Sequence, residues 1–110
     1  MSRLKANSDF QRVRREGRSW SHSLVVLIAS ANGLAETRVG IAAGKTVGGA
    51  VKRNRAKRRL REAIRLVAPT LTTGWDVVLV ARPALPEAAW PEVVSALSQL
   101  IGRAKLQKDG

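Results

Sequence analysis

The chain has 110 residues, of which 45% are hydrophobic, with no cysteine and a formal net charge of +12. This apolar content excludes a disordered chain, and the lack of cysteine excludes disulfides and thiolate metal sites. The longest apolar run, residues 24–29, is far shorter than the ~20 residues that span a bilayer, and no signal peptide is recognisable. We therefore expect one cytoplasmic domain over residues 1–110, with a basic arm at about 1–7 and a flexible tail at about 105–110.

The first half of the chain predicts one helix and two strands. Ser8, with a glutamine three residues later, has the form of a capping box, so we expect a helix over residues 8–15 that ends at Gly17. The continuous apolar run at 24–29 is typical of a strand covered on both faces. Residues 38–43 predict a second strand, which we expect to pair with the first.

The second half predicts a helix, a strand and a final helix. A Gly-containing flexible loop over residues 44–50 leads into a basic helix, which Pro69 ends by disfavouring helical geometry at the residue before it. Residues 75–82 predict a strand, and the last helix begins near Pro91. Its apolar residues keep helical spacing: Trp90, Val93, Val94, Leu97, Leu100, Ile101 and Ala104. This order predicts an α+β fold, a two-layer sandwich of three helices on a small, mostly antiparallel sheet.

The charge is concentrated in residues 52–65, which contain eight Lys or Arg residues and one acid, Glu62. If residues 52–67 form a helix, five of its apolar residues fall on one stripe, which must face the sheet: Ala56, Leu60, Ala63, Ile64 and Val67. Lys57, Arg61 and Arg65 follow one another along one flank of the stripe. Because like charges at this spacing repel each other, the row favours a polyanion lying along it.

The other flank is also basic. Arg55 and Arg59 lie there, and we expect Glu62 to pair with Arg58 or Arg59. Arg53 falls near the apolar stripe by angle, so we place it at the helix entrance, where a positive helix terminus suits a phosphate. A membrane-surface helix would need bulky apolar residues opposite its charges, and the basic segment has no aromatic residue. Nucleic acid is therefore the expected partner.

The context of the helix favours RNA over DNA. A strand and a Gly-containing loop precede it, whereas a helix-turn-helix module has a positioning helix there. Phe10 and a neighbouring sheet face can cradle an unpaired strand by stacking and charge. The single histidine, His22, has no companion ligand in the sequence, so we expect neither a metal site nor a general base and place it at the surface or a strand edge.

Residues 51–62, VKRNRAKRRLRE, strongly resemble the signature of the bacterial ribonuclease P protein subunit. Nearly the whole chain, from about residue 3 to 105, agrees with this family in order and spacing. The other matching segments include Asp9–Val13, Glu16–Gly17, Arg38–Gly40, Val47–Gly48, Asp76–Val78 and Ala81–Pro83.

The resemblance implies an accessory, non-catalytic protein that binds a catalytic RNA subunit and the 5′ leader of precursor tRNA, and so helps remove the leader. It implies that the protein binds no cofactor and that Mg²⁺ belongs to the RNA active site. By family pattern, the residues that approach the RNA subunit are Lys52, Arg53, Asn54, Arg55 and Arg58. By the same pattern, the residues that line a leader cleft are Phe10, Arg14, Lys45, Lys57, Arg61 and Arg65.

Three positions depart from the family pattern. Arg14 stands where a second aromatic residue is common, Val26 and Leu27 occupy a strand region that usually offers an aromatic, and residues 43–45 replace a more usual Ser-Lys-Lys. We therefore predict that this cleft relies more on charge than on stacking, which is worth ~1–3 kcal/mol per base. The alternatives are a ribosomal or ribosome-assembly RNA-binding protein and a DNA-binding module.

Overall fold

The computed structural model describes residues 1–108, which form one five-stranded sheet and three helices. The strands are β1 (Ser2–Arg3), β2 (Arg18–Ser21), β3 (Val25–Ala31), β4 (Arg38–Ala42) and β5 (Trp75–Ala81). The helices are α1 (Asn7–Glu16), α2 (Ala50–Val67) and α3 (Trp90–Arg103). The sequence predicts all three helices and the strands β3, β4 and β5, but neither of the short strands β1 and β2.

The strands lie in the order β1-β4-β5-β3-β2. β3 pairs antiparallel with β2 and β5, whereas β4 pairs parallel with β1 and β5, and the antiparallel pairings contain more residues. The predicted α+β class with a mostly antiparallel sheet is thus confirmed. The predicted pairing of residues 38–43 with 24–29 is wrong because β5, the more deeply buried strand, lies between β4 and β3 and pairs with both.

The helices cover both faces of the sheet. α2 and α3 pack on the face that carries Leu27 and Leu79, and α1 packs on the other face against Ile28 and Val78. The expected two-layer sandwich is therefore wrong in its layering, because β3 and β5 are apolar on both faces and both faces need cover. This division places α1 and α2 on opposite sides of the sheet, near the edge that β1 and β4 form.

Several predicted ends differ from the structure. α1 begins at Asn7 and its N-cap is Ala6, so Ser8 lies inside the first turn and does not cap the helix. Gly17 does follow the helix, and a Cβ there would lie 2.9 Å from the Ala29 carbonyl oxygen, so the close approach to β3 requires glycine. The loop before α2 contains a 3₁₀ turn, Lys45–Val47, whose Val47 side chain is buried.

Both chain ends are more ordered than the sequence predicts. Ser2–Arg3 is a strand and Leu4 is buried, so the basic N-terminal segment belongs to the sheet. Leu106 is buried and Gln107 pairs with Leu71, so residues 105–108 are held against the fold; the remainder of the predicted tail, 109–110, lies outside the described residues. In the part of the chain that the structure describes, no helix is long and apolar enough to cross a membrane.

Candidate nucleic-acid interface

The basic helix α2 has the phasing that its sequence predicts. It runs from Ala50 to Val67, and a 3₁₀ turn containing Pro69 follows it. The five residues of the predicted stripe are all buried: Ala56, Leu60, Ala63, Ile64 and Val67. Because this stripe is held against the sheet and α3, the basic side chains on either side of it have fixed directions.

A cavity of about 320 Å³ lies between α1, the edge of β4 and α2. Phe10 of α1, Gly40 of β4 and the α2 residues Arg61 and Arg65 line it. Residues 1–5 complete its wall, so Arg3 and Lys5 of the predicted basic arm add positive charge to the cavity. The pairing of β1 with β4 places Arg3 and Lys5 in the wall of the cavity. In the sequence, the only sign of their part in binding is the basic composition of the N-terminal segment.

A second cavity of about 410 Å³ shares the Phe10 ring with the first. Arg14 and Lys57 line it, together with Ile41 and the residues after it up to Ala43. The two cavities form one groove, which we call the α1–α2 groove, and no residue that lines either of them is acidic. Of the six residues predicted to line a leader cleft, only Lys45 lies outside this lining; it is exposed on the 3₁₀ turn before α2.

The Phe10 ring lies directly on the backbone of β4. A Cβ atom built on Gly40 would lie 3.0 Å from both Cε atoms of the ring and nearer still to Cζ. Any side chain at position 40 would thus displace the ring from the groove. Glycine here provides close approach, since its backbone conformation is that of an ordinary strand.

A buried carboxylate fixes α1 to the sheet. Asp76 of β5 is fully buried and accepts hydrogen bonds from Arg12 of α1, from Arg38 Nε and Nη2 at 2.8 and 2.7 Å, and from Asn32 Nδ2 at 2.9 Å. Burial opposes its charge, but these hydrogen bonds outweigh burial and lower the pKa of Asp76 from 3.8 to about 2. Because Arg12 and Phe10 belong to the same helix, this carboxylate holds α1, and with it Phe10, against the sheet.

The entrance of α2 presents the residues predicted to approach an RNA subunit. Lys52, Asn54, Arg55 and Arg58 are exposed, as that role requires. Arg53 is half-buried, and its Nε is inaccessible and has no hydrogen-bond partner in residues 1–108. Its position in the first turn agrees with placement at the helix entrance, but its stem packs against the protein and does not project freely off the end.

Arg59 is a structural residue. Its guanidinium donates hydrogen bonds of 2.7–3.0 Å to the carbonyl oxygens of Leu85, Pro86 and Ala88, and lies 5.9 Å from the ring centroid of Trp90. It therefore ties α2 to the connection before α3 and is not available to a ligand. Sequence phasing places it on a basic flank and gives no sign of these acceptors, which come from residues 26–29 positions later.

Two further charge pairings differ from expectation or add to it. Glu62 lies 3.7 Å from Arg65, whereas Arg58 or Arg59 was its predicted partner. Arg55 lies 3.7 Å from Glu87, with both groups about half exposed, so this ion pair leaves the arginine accessible.

His22 follows β2, and its Nδ1 accepts a hydrogen bond from the Leu24 N–H at 3.1 Å, which agrees with a strand-edge position.

The family model described as Ribonuclease P matches residues 1–105 of this chain. The chain belongs to that family. It is 45% identical over 103 residues to a ribonuclease P protein component from Roseiflexus sp. (strain RS-1), covering 93% of this chain and 84% of the relative. It is 44% identical over 110 residues to the corresponding component from Symbiobacterium thermophilum, covering 98% and 96% of the two chains.

A solved structure agrees with this assignment. The RNase P protein of Staphylococcus aureus superimposes on the present fold with a TM-score of 0.85 and 28% identity, covering 98% of this chain and 99% of that one. Family membership thus extends over the sheet, the α1–α2 groove and the entrance of α2 together. The predicted family resemblance and the fold class are confirmed.

Proposed function

We propose that this chain is the protein subunit of a ribonuclease P, which binds a catalytic RNA subunit and the 5′ leader of precursor tRNA. The observation that carries the proposal is the α1–α2 groove, where Phe10, Lys57, Arg61 and Arg65 meet with no acidic residue in the lining. A groove that combines cations with one aromatic ring suits a single-stranded nucleic acid, whose phosphates follow the charges and whose bases stack. Family membership favours this function over the ribosomal and DNA-binding alternatives.

The two basic surfaces have separate roles in this proposal. The α1–α2 groove holds the leader through Phe10, Arg14, Lys57, Arg61 and Arg65, with Lys45 beside its mouth. The entrance of α2 contacts the RNA subunit through Lys52, Arg53, Asn54, Arg55 and Arg58. The entrance residues and three cations of the groove, Lys57, Arg61 and Arg65, belong to the same helix, α2, so binding of the RNA subunit at the start of α2 orients the leader farther along it.

The groove has no residues suited to binding Mg²⁺, which prefers oxygen ligands from carboxylates. Neither cavity has a carboxylate or a histidine in its lining, and residues 1–108 contain no group of three potential metal ligands. In this proposal the Mg²⁺ of the holoenzyme, and the cleavage chemistry, belong to the RNA subunit, as the family resemblance implies. The protein residues contribute binding and orientation of the leader.

The test adds the purified chain to its cognate RNA subunit and precursor tRNA at low Mg²⁺. Cleavage at the mature 5′ end should be faster than with the RNA subunit alone, because the basic groove supplies leader affinity that Mg²⁺ otherwise has to support. The matched control is precursor tRNA that lacks its leader beyond one nucleotide, for which the increase should largely vanish. Equal rates with and without the protein on the full precursor would contradict the proposal.

A further inference from the structure

Two arginines from distant parts of the chain converge on Ser21, the last residue of β2. Arg82, the residue after β5, donates from Nη1 to the Ser21 hydroxyl at 3.3 Å. Arg103, the last residue of α3, donates from Nη1 to the Ser21 carbonyl oxygen at 2.8 Å. All three residues are exposed, so the two guanidinium groups lie beside each other at the surface.

This pair of charges has no acidic partner within residues 1–108. No carboxylate lies within 4 Å of either guanidinium, in contrast to Arg12 and Arg38, which share Asp76. Each of the two guanidinium groups uses one of its five N–H donors on Ser21, and both arginines are exposed. Two cations fixed side by side on neutral acceptors form a site for an anion, and a planar guanidinium fork matches the oxygens of a phosphate.

The neighbouring part of β2 suits a nucleic-acid strand as well. Arg18 lies 5.9 Å from the ring centroid of Trp20, and that ring is only partly buried. β2 is an edge strand, so nothing in the sheet covers its outer side. Cations together with a partly open aromatic face are the combination that binds a sugar–phosphate backbone with stacked bases.

The site lies at the same end of the sheet as the entrance of α2. Ser21 pairs with Val26 at the start of β3, and Val25 pairs with Ala81 at the end of β5. β4 runs parallel to β5 and also ends there, and the chain then enters α2. A single folded RNA that binds the entrance of α2 can therefore extend to Ser21.

We propose that Arg82 and Arg103, held together by Ser21, form a second contact for the phosphate backbone of the RNA subunit. This inference rests on the proposed function, because it presupposes that the RNA subunit binds at this end of the sheet. It adds a surface outside both α2 and the α1–α2 groove, and it gives a role to the Ala81–Pro83 segment, which neither the groove nor the helix uses.

The test compares binding of the RNA subunit to the wild-type chain and to the double variant Arg82→Ala with Arg103→Ala, across a range of KCl concentrations. The variant should bind the RNA subunit about tenfold more weakly at low salt, and the slope of log affinity against log salt should fall by up to ~2, at ~0.9 per lost phosphate contact. Affinity of the assembled enzyme for precursor tRNA should stay unchanged. Loss of precursor affinity alone would overturn the assignment to the RNA subunit.

Two controls keep this test independent of folding and of total charge. The double variant Arg15→Ala with Lys108→Ala removes the same charge from exposed positions elsewhere and should change affinity less than threefold. Ser21→Ala keeps both cations and the carbonyl oxygen that holds Arg103 but removes the acceptor of Arg82, so it should weaken RNA binding, though less than the double variant does. If the Arg82 and Arg103 variant matches the charge control while the wild-type chain still stimulates cleavage, this inference fails and the proposed function stands.

Discussion

Phe10 lies on Gly40 so closely that its ring occupies the space where any other residue would have its Cβ. The contact joins α1 to the open part of β4 and sets the ring at the junction of the two cavities of the groove. An aromatic platform in the groove thus depends on a missing side chain in the neighbouring strand.

Gly40→Ala should weaken leader binding by about five- to tenfold, because the displaced ring loses its stacking position, worth ~1–3 kcal/mol per base. Binding of the RNA subunit should stay as in wild type. The measurement is the dissociation constant for precursor tRNA with a long leader against one with a single leader nucleotide. Gly44→Ala is the matched control, since a Cβ there meets nothing within 4 Å; equal effects of the two alanines would contradict the role of the ring.

Removal of two cations from either basic surface should weaken a different binding step. Lys57→Ala with Arg61→Ala should mainly lower affinity for precursor tRNA, since both side chains line the groove. Arg53→Ala with Arg55→Ala should mainly weaken assembly with the RNA subunit. Both dissociation constants are measured for both variants, and indistinguishable defects would argue against separate surfaces while leaving the function intact.

Leader binding should depend steeply on salt because the groove has one aromatic ring and several cations. Arg14 lines the groove where the family commonly has a second aromatic, and Leu27 is fully buried on the opposite face of the sheet, where it cannot reach a base. Affinity for the leader should fall as salt rises, with a slope of about −0.7 per phosphate contact for a single strand. A leader affinity that is nearly the same in low and high salt would show that stacking dominates.

Arg59 and Arg58 are neighbours on α2 with opposite expected roles. Arg59→Ala should lower the free energy of unfolding by about 1–3 kcal/mol, because three carbonyl groups lose a charged donor. Arg58→Ala removes an exposed side chain and should leave stability nearly unchanged while weakening RNA binding. Chemical denaturation and RNA affinity, both measured well below the melting temperature, separate the two; a destabilised Arg58→Ala would contradict this distinction.

Acid should weaken the attachment of α1. The folded pKa of Asp76 is about 2, below its usual 3.8, so its contribution to stability is complete above about pH 4 and is lost as the pH falls toward 2. That contribution is roughly 2 kcal/mol. Asp76→Asn should be less stable than wild type at pH 7, and the difference should shrink between pH 4 and pH 2.

The control for this prediction is Glu92→Gln, an exposed carboxylate on α3 with no ion pair among the described residues. Its unfolding free energy should follow the wild-type pH profile. A constant gap between Asp76→Asn and wild type from pH 7 down to pH 2 would show that folding does not shift the pKa of Asp76, and would contradict this prediction.

Local patterns predict the helices and their faces well, because helical phasing depends only on neighbours three and four residues apart. The buried stripe of α2, from Ala56 to Val67, follows from that spacing alone. Long-range pairing does not follow from it. Nothing near residues 38–43 signals that their partner is β5, and Asp76 looks like one more scattered acid until Arg12 and Arg38 meet it in the fold.

The residues of the candidate site also fall into two groups, those that local patterns predict and those that only the fold reveals. Phe10, Lys57, Arg61 and Arg65 are predictable because the family pattern and the helix phasing agree on them. Arg3 and Lys5 join the groove only because β1 pairs with β4, and a strand of two residues has too little sequence to be recognised. The structural role of Arg59 can be recognised only in the fold, because the carbonyl groups that accept its hydrogen bonds lie far along the chain.

The place of β5 at the centre of the sheet has a consequence for synthesis on the ribosome. β3 and β4 both need β5 as a partner, yet β5 is the last strand to be made, and the whole basic helix α2 precedes it. Until residue 81 has left the exit tunnel, two apolar strands have unpaired edges, which are sites of aggregation. The nascent chain therefore exposes its most vulnerable surface while its most highly charged segment is already outside, and that charge keeps neighbouring nascent chains apart.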